Sequence, residues 1–334
     1  MVNSSIIYRG IITSRFRTEK LYSFYKSIGD GKGQNSLYVS FGRSIPWSSN
    51  ENEPGFAPPH PVDNTQGVVD AWTNMLGCVK VDRTMLDAVI PRKDWGDTRF
   101  ANPRTFKIGE IVVVNTAPYN RSPGAKGWVV YRVVDVPNQG ECSIRSVGEK
   151  PDCIKLGGQW TPGNESYTVP SGTGDTEGII DTGDGYQWEY LYEIPADVSI
   201  NRCTNEYIVV PFPEELSKSK EKWGYHNNLT WERDSFNLIY RLKVNTIRFK
   251  AYFDSIWFPD TSILGNKGFR QIAVIMNPAE KKVKATDPIN RCIKPYYGII
   301  NLERHSGEMI YIENRPPIVR SMDQTEEVSL IFEF

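Results

Sequence analysis

The chain has 334 residues, 39% of them hydrophobic and 12% aromatic, with nine tryptophans and seventeen tyrosines. That length allows two domains or one large β-sandwich, and either can bury a sizeable core. With 39 basic against 40 acidic residues the net charge is −1, which excludes an overall field that would hold nucleic acid or an anionic membrane.

The first residues, MVNSSIIYRG, contain no basic segment running into an apolar stretch of signal-peptide length. The longest purely aliphatic run, Ile111–Val114, is far short of a bilayer span. A chain made and used in solution is expected. Leu21, Phe24, Tyr25 and Ile28 have i, i+3, i+4, i+7 spacing and predict a helix, with Thr18 as its N-cap and Gly29 past its end. A second helix is predicted over 64–76: Asp63 and Gln66 have capping-box spacing, Val68, Trp72 and Met75 share a face, and Gly77 stops it. Asp82 is expected to open a short third helix through Leu86 and Val89, ended by Pro91. The segment 213–222, PEELSKSKEK, suits a helix dipole and, with Leu216 its one apolar residue, belongs on the surface.

Strand patterns dominate the rest, at 37–42, 110–115, 127–136, 186–194, 206–212, 238–258, 270–276, 297–302, 308–312 and 327–334. Residues 184–195, DGYQWEYLYEIP, are the clearest. Tyr186, Trp188, Tyr190, Tyr192 and Ile194 fall on one side of the strand; Gln187, Glu189 and Glu193, with Leu191 as the exception, make the other side mostly wet. Core packing is the first reading of the aromatic side; sugar stacking and protein contact are the others. The expected fold is mainly β: a layered antiparallel β-sandwich with a few short helices carried on long loops. A single body over 1–334 is expected, with helix-bearing excursions near 60–91 and 212–232. Residues 43–63 and 157–185 read as long loops, the second rich in glycine; such loops are usually functional or become ordered on a partner.

Residues that carry chemistry are sparse. The five cysteines, Cys78, Cys142, Cys153, Cys203 and Cys292, are odd in number and contain no CxxC pair, which fits reduced thiols better than an oxidised framework. His60, His226 and His305 have no companions at metal-ligand spacing. Gly29, Gly31 and Gly33 lack dinucleotide spacing, and no GxSxG elbow exists. Asp175, Glu177, Asp181 and Asp184 miss the alternation of a calcium loop and read as a solvated acidic stretch. No catalytic, cofactor or metal residue is therefore nominated. Trp95, Trp128, Trp223 and Trp231 lie in or near predicted loops. Trp47, Phe56 and Trp160, on the two long loops, are the candidate interface residues, since Trp and Tyr are frequent contact anchors.

Four stretches resemble the baseplate wedge subunits of T-even-type contractile-tailed bacteriophages. They are LYVSFGRSIPW (37–47), PVDNTQGVVDAW (61–72), DAVIPRKDW (87–95) and DGYQWEYLYEIP (184–195). They cover about the first 200 residues, and 157–183 is longer and richer in glycine than the family pattern before DGYxW. The resemblance implies a non-enzymatic building block without cofactor or small-molecule substrate. It further implies a homodimer with other wedge proteins as partners, assembled in the host cytoplasm and resident in the virion tail baseplate. A carbohydrate- or receptor-binding tail module is the alternative, and a hydrolase with an unrecognised carboxylate pair a third.

Overall fold

The computed structural model describes residues 11–29, 31–100, 102, 104–115, 126–138, 140–161, 163–218, 223, 238–254, 268–281, 295–318 and 325–334. His226, Trp231 and Cys292, with 219–222, 224–232 and 255–258 of the predicted elements, lie outside them. Among the described residues β-structure dominates, in antiparallel sheets with a few short helices, as the residue alternation predicts.

Helix α1 (Ser14–Ser27) starts earlier than its spacing suggested. Thr18 lies buried inside it and donates its hydroxyl to the Ser14 carbonyl at 3.1 Å, so it is no cap, while Leu21, Tyr25 and Ile28 are buried as predicted. After β1 (Leu37–Gly42) comes α2 (Thr65–Thr73). Its cap is Asn64 and not Asp63: the Asn64 side chain accepts from the Gly67 N–H at 2.9 Å. The helix ends at Asn74, and Met75 already opens β2 (Met75–Val81), a strand that the expected helix obscured. Asp82 does cap, but only a 3₁₀ turn over Arg83–Met85. The predicted third helix is instead β3 (Leu86–Pro91), buried on both faces except at Pro91. A short apolar run buried on both sides has no periodicity to tell strand from helix.

The remaining elements are β4 (Ile111–Asn115), β5 (Lys126–Asp135), β6 (Glu141–Cys142), α3 (Lys150–Lys155), β7 (Trp160–Thr161), β8 (Ile179–Asp181) and β9 (Gln187–Pro195). They are followed by α4 (Ala196–Arg202), β10 (Tyr207–Val210), α5 (Pro213–Lys218), α6 (Leu238–Arg241), β11 (Thr246–Asp254), β12 (Phe269–Met276), β13 (Tyr296–Gly298), β14 (Glu308–Ile318) and β15 (Thr325–Glu333). The strand expected from residue 238 is preceded by α6 and by a turn in which Lys243 has φ 52°. Among the described residues no helix is long and apolar enough to cross a membrane.

The chain forms two compact units, Met1–Thr18 with Asp87–Thr246 and Glu19–Leu86 with Ile247–Phe334. The first holds the antiparallel sheet β4-β5-β9-β8 and the pair β10-β3. Its core is the aromatic side of β9: Tyr186, Trp188 and Tyr190 pack with Phe106 and Tyr131, the Phe106 and Trp188 rings 5.2 Å apart and edge-on. The opposite side of β9 is not wet. Glu189 and Glu193 are 5% exposed, and Arg132 and Arg241 both reach the Glu189 carboxylate, Arg132 Nε at 2.7 Å. Paired arginines let a strand bury acids that alternation alone assigns to water. The same unit carries a disulfide, Cys142–Cys153, contrary to the expectation of reduced thiols there. The turn of α3 brings Cys153 back to Cys142, a closure that cysteine counting does not register.

The second unit is a β-sandwich. Its larger sheet has the order β13-β2-β1-β12-β14, antiparallel throughout. Strands β11 and β15 cover it through Phe41–Phe253 at 4.8 Å, Phe249–Phe332 at 4.5 Å and Tyr311–Phe332 at 5.1 Å. Phe24 of α1 closes one end, 5.9 Å from Phe249 and 5.5 Å from Phe334.

Candidate functional site

In the second unit the irregular stretch 43–63 is tied to the sandwich by a buried ion pair. Arg270 of β12 donates from Nε to Glu51 at 2.7 Å and from Nη1 to the Ser44 carbonyl at 2.8 Å; Arg270 is 5% and Glu51 7% exposed. The hydrogen bonds from Arg270 hold the Glu51 carboxyl below the ordinary carboxylate range against the opposing effect of burial. Glu51 also accepts from the Trp47 N–H at 3.0 Å.

Trp47 is thereby fixed from several directions. Its indole N–H donates to the Arg315 carbonyl at 3.1 Å, and the Arg43 guanidinium stacks 3.9 Å from its ring. Arg43 itself has φ 57°, and its N–H donates to the Asn74 carbonyl at 2.7 Å. Such a left-handed non-glycine residue persists where its surroundings hold it.

Trp47 forms one wall of a cavity of about 480 Å³. Pro59, Pro61 and Val62 of the loop form a second wall. A third is the outer face of α2, where Gln66, Val69, Asp70 and Thr73 follow i, i+3, i+4, i+7 spacing. The inner face of the same helix buries Trp72, which clusters with Met75 and Ile275. Gln271, Ile312 and Asn314 complete the lining from β12 and β14. Gly67 lets loop and helix close up: a Cβ there would fall inside the contact distance of the Val62 carbonyl.

Of the three candidate interface residues, only Trp47 lines this cavity. Phe56 is half-buried in the same loop, its N–H donating to the Glu53 carbonyl at 3.2 Å. Trp160 belongs to the other unit, half-buried on β7 opposite Cys142. Trp128 and Trp223 are buried, and Trp95 packs on the aromatic core, so none of these three is an exposed anchor. Sequence reasoning missed Glu51, Gly67, Arg270, Gln271 and Asn314. A glycine inside a predicted helix was the one visible signal among them.

The acidic stretch does local work. Asp184 accepts from the Ser166 hydroxyl at 3.0 Å and the Tyr167 and Thr168 N–H groups at 2.8 and 3.1 Å, and also binds Thr182 and Tyr186. Burial pushes its pKa up, but the hydrogen bonds outweigh that and hold it at about 2. Asp175 and Asp181 accept from turn N–H groups. Among the described residues no group of three or more His, Cys, Asp or Glu side chains is arranged to hold a metal ion. Burial raises the pKa values of Tyr131, to about 12, and of Tyr38 and Tyr190 further. Such phenols stay protonated and serve as packing groups and donors.

Residues 10–334 match the phage protein family described as Bacteriophage T4, Gp8. The chain belongs to this family. Within the Gp8 family, the protein of Enterobacteria phage T4 named "Baseplate wedge protein gp8" is 61% identical over 334 residues, covering 100% of both chains. The resemblance read from four stretches in the first 200 residues thus extends through the C-terminal third, where no motif carried it. The Gp8 relationship makes this a β-rich structural protein of the phage tail baseplate.

Proposed function

We propose that the chain is a non-enzymatic building block of the baseplate wedge, working as a homodimer that joins other wedge proteins. The observation that carries this reading is the full-length identity of 61% to a protein named for the baseplate wedge. Physical features support it. Buried ion pairs at Glu51 and Glu189 stiffen loops and strands, and rigid surfaces lose little entropy on association. Dimer and neighbour contacts use the loops 43–63 and 157–185, with Trp47, Phe56 and Trp160 as contact residues. The aromatic side chains of β9 that invited a carbohydrate reading are core residues, so they lend it no support. Assembly takes place in the host cytoplasm and the protein resides in the virion tail.

Light scattering tests this reading. The purified 38.0 kDa chain should show twice that mass and should enter a larger complex when mixed with other wedge proteins of its phage. A monomer that joins nothing overturns it.

A further inference from the structure

The segment from Glu141 to Thr161 is ordered with little to hold it. Strands β6 and β7 pair over two residues each, Glu141 with Thr161 and Cys142 with Trp160. Helix α3 has six residues and no capping side-chain hydrogen bond, and a helix that short does not stand on its own. An ion pair to the rest of the unit, Lys107 with Glu149, leaves half or more of each side chain exposed and contributes little. Among the described residues from Glu141 to Thr161, Cys153 is the one that is buried. The interior of this segment is therefore the Cys142–Cys153 disulfide. A piece of chain without an apolar core of its own needs such a cross-link to keep one structure.

The main chain covers one side of that bond. A Cβ on Gly158 would fall 2.8 Å from the Cys153 sulfur and 2.9 Å from the Cys142 sulfur. The Gly158 N–H donates to the Cys153 carbonyl at 2.8 Å, which fixes the covering turn. Cys153 is fully buried and Cys142 only half-buried, so a thiol or disulfide from solution meets the Cys142 sulfur first. With Cys153 turned inward, Ile154 and Leu156 on either side of it in α3 face out, 59% and 62% exposed. Their setting depends on the same bond.

We propose that Cys142 and Cys153 are a redox lock on this segment. In a reducing medium they are a dithiol and 141–161 is loose; in an oxidising one their disulfide fixes the segment and the display of Ile154 and Leu156. A small disulfide such as oxidised glutathione is the oxidant. The Cys142 thiolate attacks one of its sulfurs, forming a mixed disulfide and releasing one small thiol. The Cys153 thiolate then attacks the Cys142 sulfur, closing Cys142–Cys153 and releasing the second small thiol. The two cysteine protons leave on the two released thiols, and the two electrons reduce the S–S bond of the oxidant. Reduction runs the same steps backward. For a chain assembled in the host cytoplasm the lock is open during assembly and closes once lysis releases the particle. That timing rests on the wedge reading; the lock itself does not.

Trypsin reads the lock on the purified full-length chain, because Arg145 and Lys155 are exposed within the segment. Cutting at these two residues should be about a hundredfold faster in reduced than in oxidised glutathione, the closure entropy of a loop with a sequence separation of 11 expressed as an opening equilibrium. Cuts elsewhere in the chain should keep their rates. Cys142→Ser should be cut fast in both buffers, and the wild-type comparison stands without it should that variant fail to fold. Peptide mass mapping of the oxidised wild type should find Cys142 joined to Cys153. Equal cutting rates in the two buffers, faster cutting throughout the reduced chain, or either cysteine paired elsewhere overturns the lock. The timing has its own measurement. An alkylating reagent added to infected cells before lysis should trap both residues as thiols, and finished particles should carry the disulfide. A disulfide already closed in the cells, or free thiols in the particles, overturns the timing. Absence of the chain from the particles sinks the wedge reading, while the trypsin comparison still decides the lock.

Discussion

Arg270 and Glu51 stand 219 residues apart in sequence and meet as a buried ion pair beneath the Trp47 loop. The guanidinium belongs to a central strand of the sandwich and the carboxylate to a stretch without regular structure, so one contact converts a loop into part of a rigid wall. Removing one partner strands the other charge in a dry setting, at a cost of about 3–5 kcal/mol. Glu51→Ala should therefore lower urea-unfolding stability by that order and should change Trp47 fluorescence. The pair Glu51→Leu with Arg270→Met should recover a large part of the loss. Equal losses in the single and double variants would show that the ion pair does not hold the loop.

Glu189 gives a second case with the geometry reversed, one acid between two arginines. Glu189→Leu leaves Arg132 and Arg241 facing each other on the sheet of the first unit. Destabilisation of about 3–5 kcal/mol is expected. Chemical denaturation checks it, and added salt should recover part of the loss, because the Arg132 and Arg241 side chains keep 31% and 24% of their surface exposed.

Asp184 makes a pH prediction. Its folded pKa of about 2 lies below the ordinary 3.8, so the folded state holds this proton less tightly than the unfolded chain. The stabilisation it supplies is complete above about pH 5 and is largely gone by pH 2, an amount of about 1 kcal/mol once solvent screening of this partly exposed carboxylate is allowed for. Asp184→Asn should remove that part of the acid-unfolding slope and lower stability at neutral pH by a similar amount. A variant with an unchanged slope between pH 4 and 2 would count against the hydrogen-bond network at this carboxylate.

These groups mark the boundary of what the residues disclose before folding. The β1 and β9 strands, the apolar face of α2 at Val68 and Trp72 and the irregularity of 43–63 were all legible, because each rests on local alternation, helical spacing or turn chemistry. Strands β2 and β3 were not, since runs buried on both faces lose their period. Helix α4 follows β9 directly, its capping residue being Pro195 without a side-chain cap, so Asp197 in the first turn is a start signal without the capping side chain that would mark the boundary. The cavity was half legible. Trp47 is nominated from sequence, whereas the outer face of α2 is not, and Gln271 and Asn314 reach the cavity only through the pairing of β12 with β14, a long-range register that spacing does not encode.

Gly67 offers a prediction that opposes ordinary propensity. Within a helix, alanine is favoured over glycine by about 1 kcal/mol, so Gly67→Ala should stabilise α2 if only the helix mattered. Here the added methyl would press on the Val62 carbonyl, and either the loop or the helix must retreat. Overpacking of that kind costs about 1–3 kcal/mol, enough to reverse the sign. Gln66→Ala, one residue away on an exposed position, meets no such contact and should stay within about 0.5 kcal/mol of wild type. A Gly67→Ala chain that melts higher than wild type would mean that the close approach of loop to helix does not exist in solution.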